Sequence, residues 1–270
     1  METAKGRITG ENMKVIVVST PRTCSSYLCN IFAKRFDLID YSELFSEMWV
    51  KADVNTKMKL VTRSDNYTAK ITSTSLTTYP HVFDYQTFPW EIFDYIIVTE
   101  RLDITAQAAS WLLLSHAQMN GKGDQRLLVE YLVDGMQHPE DFPEVDKGLL
   151  LGILKTINYF YDYIKPHLLN SGLKSVKLVN HEMFQQQPEE YIEELRNKTD
   201  IYWRIENLVD QGNPTYVDYT PYIETKNLRQ IIEEMQNELK GIPTQTEVSD
   251  APTEEANNDR PDSTENEGTV

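Results

Sequence analysis

Short apolar runs alternate with amphipathic stretches along this chain, and the runs have the length of strands. Met13-Lys14-Val15-Ile16-Val17-Val18-Ser19 and Tyr95-Ile96-Ile97-Val98-Thr99 are nearly continuous apolar segments, the pattern of strands covered on both faces. Ala69-Lys70-Ile71-Thr72 and Lys174-Ser175-Val176-Lys177-Leu178-Val179 read as two more strands. Helical periodicity fills the intervals. Tyr27, Leu28, Ile31, Phe32 and Phe36 fall on one side of a helix after the first strand. Further helices are predicted between Thr105 and Met119, from Lys147 to Leu168 as one long helix, and from Pro188 to Asn197 with proline at the first position. A last helix carries the stripe Leu228, Ile231, Ile232, Met235 and Leu239 and stops at Gly241. Strands alternating with helices imply an α/β fold of three layers, with a mostly parallel central sheet and helices on both faces. Ligands in such sheets bind beyond the carboxyl ends of the strands.

The turn between the first strand and its helix, Pro21-Arg22-Thr23-Cys24-Ser25-Ser26-Tyr27, stands at such an end. The first N–H groups of a helix have no intrahelical partner, and with the positive end of the helix dipole they favour an anion. Arg22 adds a planar charged fork suited to phosphate or sulfate oxygens, and Thr23, Ser25 and Ser26 add short hydroxyl donors. The segment lacks Gly-Lys-Ser/Thr, which disfavours metal-assisted hydrolysis of a nucleoside triphosphate. A basic turn with serine caps is the other reading. Cys24 sits where a helix N-terminus lowers a thiol pKa, but Asn30 stands where a tyrosine phosphatase would carry its arginine.

A second constellation follows the strand at 95–99. With a helix starting near Asp103, Asp103, Gln107 and Ser110 share a polar face and Ile104, Ala108 and Trp111 an apolar one. Asp103 reads as the N-cap, and Arg101 converges with Ser110 on one anion. A surface salt bridge for Arg101 and a small helix-contact residue for Ser110 are the alternatives.

Together these segments resemble the sulfotransferases that use 3′-phosphoadenosine 5′-phosphosulfate (PAPS), closest to the bacterial trehalose 2-sulfotransferase-like branch with its P-loop-like fold. Four stretches carry the resemblance: Ser19-Thr20-Pro21-Arg22-Thr23-Cys24-Ser25-Ser26; Arg101 to Ser110 in an Arg-x8-Ser pattern; Asp40-Tyr41-Ser42-Glu43-Leu44-Phe45; and, more loosely, Asn180-His181-Glu182-Met183-Phe184. The resemblance implies that the first holds the 5′-phosphosulfate, the second the 3′-phosphate, and that Glu43 is the base. PAPS would then be the co-substrate, with no metal, and the acceptor a hydroxyl of a carbohydrate, glycolipid or small metabolite. Arg22 would stabilise the charge developing on the departing phosphate and Lys70 would assist at the transferred group. A solvated lysine and a helix-surface glutamate are the alternatives for Lys70 and Glu43. The chain departs from the family at Cys24, where glycine is usual. It also has threonine rather than histidine in Lys70-Ile71-Thr72, and no late Arg-Lys-Gly, for which Lys226 and Arg229 are the substitutes at hand. His81, His116 and His138 are other bases to consider, the 137–144 segment an acceptor cover, and Phe88 or Trp90 an adenine stack; packed or surface roles are the plainer readings. A divergent kinase or nucleotide hydrolase and an inactive nucleotide-binding module are the rival functions.

Composition narrows the picture little further. The 270 residues are 40% hydrophobic and 10% aromatic, enough for one sizeable core over residues 13–240, preceded by a polar lead-in at 1–12. The net charge of −16 argues against a nucleic-acid polymer as partner. Much of it lies in residues 241–270, where eight acids face one arginine, a net of −7 that leaves −9 for the rest. That segment nearly lacks large apolar residues and is predicted to be a disordered tail. Two cysteines, Cys24 and Cys29, without metal-ligand spacing read as free thiols. No apolar run is long enough to span a bilayer, which leads us to expect a soluble, cytoplasmic protein; oligomeric state is not legible.

Overall fold

The computed structural model describes residues 13–45, 54–78, 84–119, 121, 131–173, 176–182 and 217–241. The lead-in, His81, Met183, Phe184, the helix predicted over 188–197 and the tail from 242 onward lie outside the described residues. Five strands, β1 (Lys14–Ser19), β2 (Ile39–Asp40), β3 (Tyr67–Thr72), β4 (Tyr95–Glu100) and β5 (Val176–Asn180), form one parallel sheet in the order β2-β3-β1-β4-β5. The chain leaves β1 towards β2 and β3 on one side and returns to place β4 on the other. The strand order therefore reverses between β1 and β4, and a crevice opens there at the carboxyl ends.

Alternation along β1 separates two cores. Ile16 and Val18 join Ala69, Ile71, Ile96 and Val98 on one face, and Val15 and Val17 join Ile97 and Val179 on the other. Helix α1 (Ser25–Phe36) covers the second face with Leu28, Cys29, Ile31, Phe32 and Phe36. The first face is covered by Phe88, Trp90 and Phe93 and by the helical residues Phe160, Ile164 and Leu168. Phe88 and Trp90 are thus core residues. Their ring centroids lie 4.4 Å apart and the Trp90 indole N–H donates to the Tyr85 carbonyl at 2.8 Å.

Helices α2 (Val54–Arg63) and α3 (Ser73–Thr78) flank β3, and α4 (Ile104–Met119) follows β4. The single helix expected over 147–168 is instead α5 (Lys147–Tyr159), a π-helical turn (Phe160–Ile164) and α6 (Lys165–Asn170). Pro166 in the first turn of α6 is the reason: it has no N–H for the preceding turn and its ring crowds that turn's carbonyl. A third apolar cluster joins α4 and α5 to α7 (Thr220–Thr225) and α8 (Leu228–Gly241) through Leu113, Ile153, Leu154, Tyr222, Ile223 and Leu228. Among the described residues no helix is long and apolar enough to cross a membrane.

Candidate functional site

The turn from Thr20 to Cys24 curls between β1 and α1 with two residues in the left-handed region, Arg22 at φ 68° and Cys24 at φ 59°. Left-handed residues in a turn are how a backbone makes a concavity for anions. Cys24 is the N-cap of α1, makes no side-chain cap bond, and is followed by no acidic residue in the first turn of the helix. The conformation also explains why glycine would suit position 24: a side chain there costs about 1 kcal/mol.

The turn is locked from below. Thr23 is buried, and its hydroxyl donates to the Thr20 carbonyl at 2.9 Å and lies 2.7 Å from the Thr99 hydroxyl on β4, so it faces the sheet rather than the turn's opening. From α4, the Gln107 amide nitrogen donates to the Thr20 hydroxyl at 2.5 Å and to the Pro21 carbonyl at 2.7 Å. Ser25 is buried and Ser26 exposed at the first turn of α1.

Arg22, Arg101 and Ser110 come together above this turn. Arg22 Nε donates to Ser110 Oγ at 2.8 Å, and an Arg101 terminal nitrogen donates to the Arg22 carbonyl at 3.2 Å. Arg101 is buried, and its Nε has no hydrogen-bond acceptor among the described residues. Burial pulls its pKa below the usual arginine value, opposed by Tyr219, Glu182, Cys24 and Asp103. An arginine still carries its charge under such a shift, so the site holds a desolvated cation with an uncommitted donor.

Two groups that sequence reasoning passed over, Tyr161 and Tyr219, build this corner together with Glu182 of the loosely matching 180–184 stretch. Tyr161, set by the π-helical turn, accepts from the Arg101 backbone N–H at 2.9 Å and donates to the Arg101 carbonyl at 2.7 Å, holding both polar groups of that residue. Glu182 receives the N–H groups of Leu102 and Asp103, each at 3.1 Å, and its carboxylate lies 3.9 Å from Arg101 Nε. Tyr219 receives the Ser110 hydroxyl at 2.9 Å from a position just ahead of α7. Asp103 caps α4 as expected, accepting from Ala106 N–H at 2.9 Å. Beneath the corner, Glu100 pairs with Lys165, whose ammonium also lies 5.3 Å from the Tyr161 ring, and accepts from the Asn180 amide at 3.3 Å.

His181 follows β5 beside this cluster. It is buried, and neither ring nitrogen makes a hydrogen bond among the described residues. Burial, with the charges of Arg101 and Arg22, pushes its pKa down to about 4, while Glu182 and the Thr23 backbone oppose the shift. The ring is therefore neutral near pH 7.

On the α1 side, alternation along β3 puts Lys70 beneath the first turn of α1. Its ammonium donates to Ser26 Oγ at 2.7 Å and pairs with the Glu43 carboxylate. Lys70 is buried while Glu43 is one-third exposed, at 33%. The segment after β2 carries Glu43 there by running on along β3, with Tyr41 N–H on the Thr68 carbonyl at 2.9 Å and Lys70 N–H on the Ser42 carbonyl at 2.7 Å. One side of the turn thus presents two guanidinium groups and a serine, the other a lysine–glutamate pair.

The remaining candidates lie elsewhere. His116 meets the Tyr131 hydroxyl at 2.9 Å, and His138 is exposed beside Glu140. Lys226 pairs with Glu144 at 2.9 Å, which ties α7 to the 137–144 segment, and Arg229 lies 3.8 Å from Asp103.

Comparison with known proteins adds a likeness of fold. No family model and no curated protein matches the chain. Among solved structures it is similar to a sulfotransferase from Alicyclobacillus acidocaldarius, at 12% identity over 84% of this chain and 96% of that one, with a TM-score of 0.44. It is also similar to a mouse sulfotransferase complexed with PAP (12% identity, 86% and 67% covered, TM-score 0.37). A third is a sulfotransferase domain from the curacin biosynthetic pathway (10%, 85% and 98%, TM-score 0.38). The chain is thus an α/β protein with a parallel five-stranded sheet whose structural neighbours include sulfotransferases, and its own chemistry rests on the residues around the Thr20–Cys24 turn.

Proposed function

We propose that this protein is a PAPS-dependent sulfotransferase acting on a hydroxyl of a carbohydrate, glycolipid or small metabolite. The observation that carries the proposal is the two-sided turn: Arg22, Arg101 and Ser110 joined at one side of a helix N-terminus, and a Lys70–Glu43 pair at the other. A nucleotide bearing anions at both ends of its ribose suits a two-guanidinium corner beside a helix N-terminus that carries an amide-rich turn. The Nε of buried Arg101, which makes no hydrogen bond among the described residues and has Glu182 only at 3.9 Å, is the specific sign of fit, because a buried donor without an acceptor is costly until a ligand supplies one.

PAPS supplies an activated sulfuryl group whose leaving group is a phosphate. The chain's residues supply position, charge and a proton acceptor. Arg101 and Ser110 hold the 3′-phosphate, and Pro21 to Ser26 with the helix end hold the 5′ group, with Arg22 offsetting charge there. Lys70, already on Ser26, orients Glu43 and adds a cation beside the reacting group. Glu43, the more exposed of the two, meets the acceptor hydroxyl and takes its proton.

The test is calorimetry without metal, comparing adenosine 3′,5′-bisphosphate with ATP. The bisphosphate should bind without magnesium and ATP weakly in its presence or absence. Arg101→Ala should weaken the bisphosphate by roughly tenfold to a hundredfold, the range for a charged hydrogen-bond partner, and adenosine 5′-phosphate far less. Magnesium-dependent ATP binding, or equal losses for both nucleotides in the variant, would sink the assignment.

A further inference from the structure

We propose that Tyr219 is a binding residue of the anion site, donating its phenolic hydrogen to the phosphate at the Arg101–Ser110 corner while Ser110 links Arg22 to the Tyr219 oxygen. The inference rests on the function proposed above and extends its site to a residue 109 positions from Ser110. Packing brings it there. Val217, Tyr219, Tyr222 and Ile223 join the apolar cluster around α4 and α5, so the segment ahead of α7 lies against the face of α4 that carries Ser110.

Counting hydrogens isolates an uncommitted donor. Arg22 Nε gives its hydrogen to Ser110 Oγ at 2.8 Å, and Ser110 gives its own to the Tyr219 oxygen at 2.9 Å. The phenolic hydrogen then has no acceptor among the described residues. Reversing the Ser110–Tyr219 bond would leave the Ser110 hydrogen over in place of the phenolic one, so the pair offers one hydrogen to an anion in either sense, and the observed sense puts it on Tyr219. The oxygen belongs to a side chain only 7% exposed, so water is a poor substitute. Arg101 presents a second buried donor at Nε, which makes no hydrogen bond among the described residues and has the Glu182 carboxylate 3.9 Å away.

Two uncommitted donors in one dry corner beside a guanidinium call for a group rich in acceptors, poor in donors and negatively charged. Phosphate meets all three conditions, and a hydrogen bond from a hydroxyl to an anionic oxygen is among the strong ones. A ring that only packed in the α4–α7 cluster would not need its oxygen aligned on the Arg22–Ser110 chain.

The experiment is Tyr219→Phe in the full chain, which removes one oxygen and keeps the ring in its cluster, with circular dichroism to check the fold. Binding of adenosine 3′,5′-bisphosphate and of adenosine 5′-phosphate is measured by calorimetry on the native protein and the variant. The variant should bind the bisphosphate about tenfold more weakly and the 5′-phosphate within about twofold of the native protein. If the native protein prefers the bisphosphate but the variant loses nothing, or loses equally on both nucleotides, the role of Tyr219 is overturned while the proposed function stands. If the native protein shows no preference for the bisphosphate, the function and this inference fall together.

Discussion

A residue can be informative because it is uncomfortable, and His181 is such a residue. Its imidazole is buried, with neither ring nitrogen in a regular hydrogen bond among the described residues, and Arg22 and Arg101 outweigh Glu182 and the Thr23 backbone, so its protonated form is disfavoured in the folded protein. Unfolding returns it to a pKa near 6.5 from one of about 4. Between those values the unfolded chain binds the proton and the folded one does not, so this residue's contribution to stability falls as pH drops through 6.5 towards 4. By pH 5 the loss amounts to about 2 kcal/mol. Replacing the ring by phenylalanine removes the titration, so urea-unfolding free energies of His181→Phe should decline less from pH 7.5 to pH 5 than those of the native protein. Parallel profiles would mean that the folded protein accommodates the imidazolium. Cys24 shows another discomfort, a side chain in a left-handed turn, whereas Cys29, wholly buried where α1 packs on the sheet, has its thiol pushed up to about 12 by that burial.

Elements show where periodicity carried the reading and where it failed. β1 and β4 were legible because both are continuous apolar runs, buried on both faces by α1 and by the Phe88–Leu168 layer. β3 was only half legible, since Tyr67 and Thr68 extend it and Lys70 breaks its pattern to serve Ser26 and Glu43. β2 has two residues and no period to read. The interruption at 160–164 was marked by Pro166, yet the apolar spacing of Leu154, Ile157, Phe160, Ile164 and Leu168 runs smoothly through it and conceals the turn that aims Tyr161 at Arg101. Packing between elements also sets a sharp test away from the anion turn. A Cβ on Gly135 would meet the Phe142 ring at 2.2 Å, and that ring is wedged edge-on against Tyr131 and Tyr222, with centroids 5.4 and 5.6 Å away. Gly135→Ala should therefore lower unfolding free energy by about 1–3 kcal/mol, read from the urea midpoint at unchanged slope. Nucleotide affinity should hold, because none of the contacts to the turn comes from 131–142. An unchanged midpoint would show that Phe142 has somewhere to move.

At the scale of the whole molecule, an acidic chain sets two buried cations, Lys70 and Arg101, around one turn at the end of a parallel sheet. The turn, Arg101 and Ser110 were readable because they lie within strand-to-helix junctions, where short-range pattern and helix-end chemistry coincide. Tyr219 was not, because nothing local marks it: its place depends on α7 packing against α4, a contact made across most of the chain. The site is thus closed by a segment that arrives late, and ligand binding should couple that segment to the turn. Hydrogen exchange with saturating adenosine 3′,5′-bisphosphate tests this directly, since a ligand that binds only the closed arrangement suppresses local opening by mass action. Slowed exchange is expected in peptides covering 20–28 and 100–110, and also in those covering 217–225. If protection stopped at the first two stretches, the late segment would be packing against α4 without belonging to the site; if all three respond together, the two ends of the fold act as one binding surface.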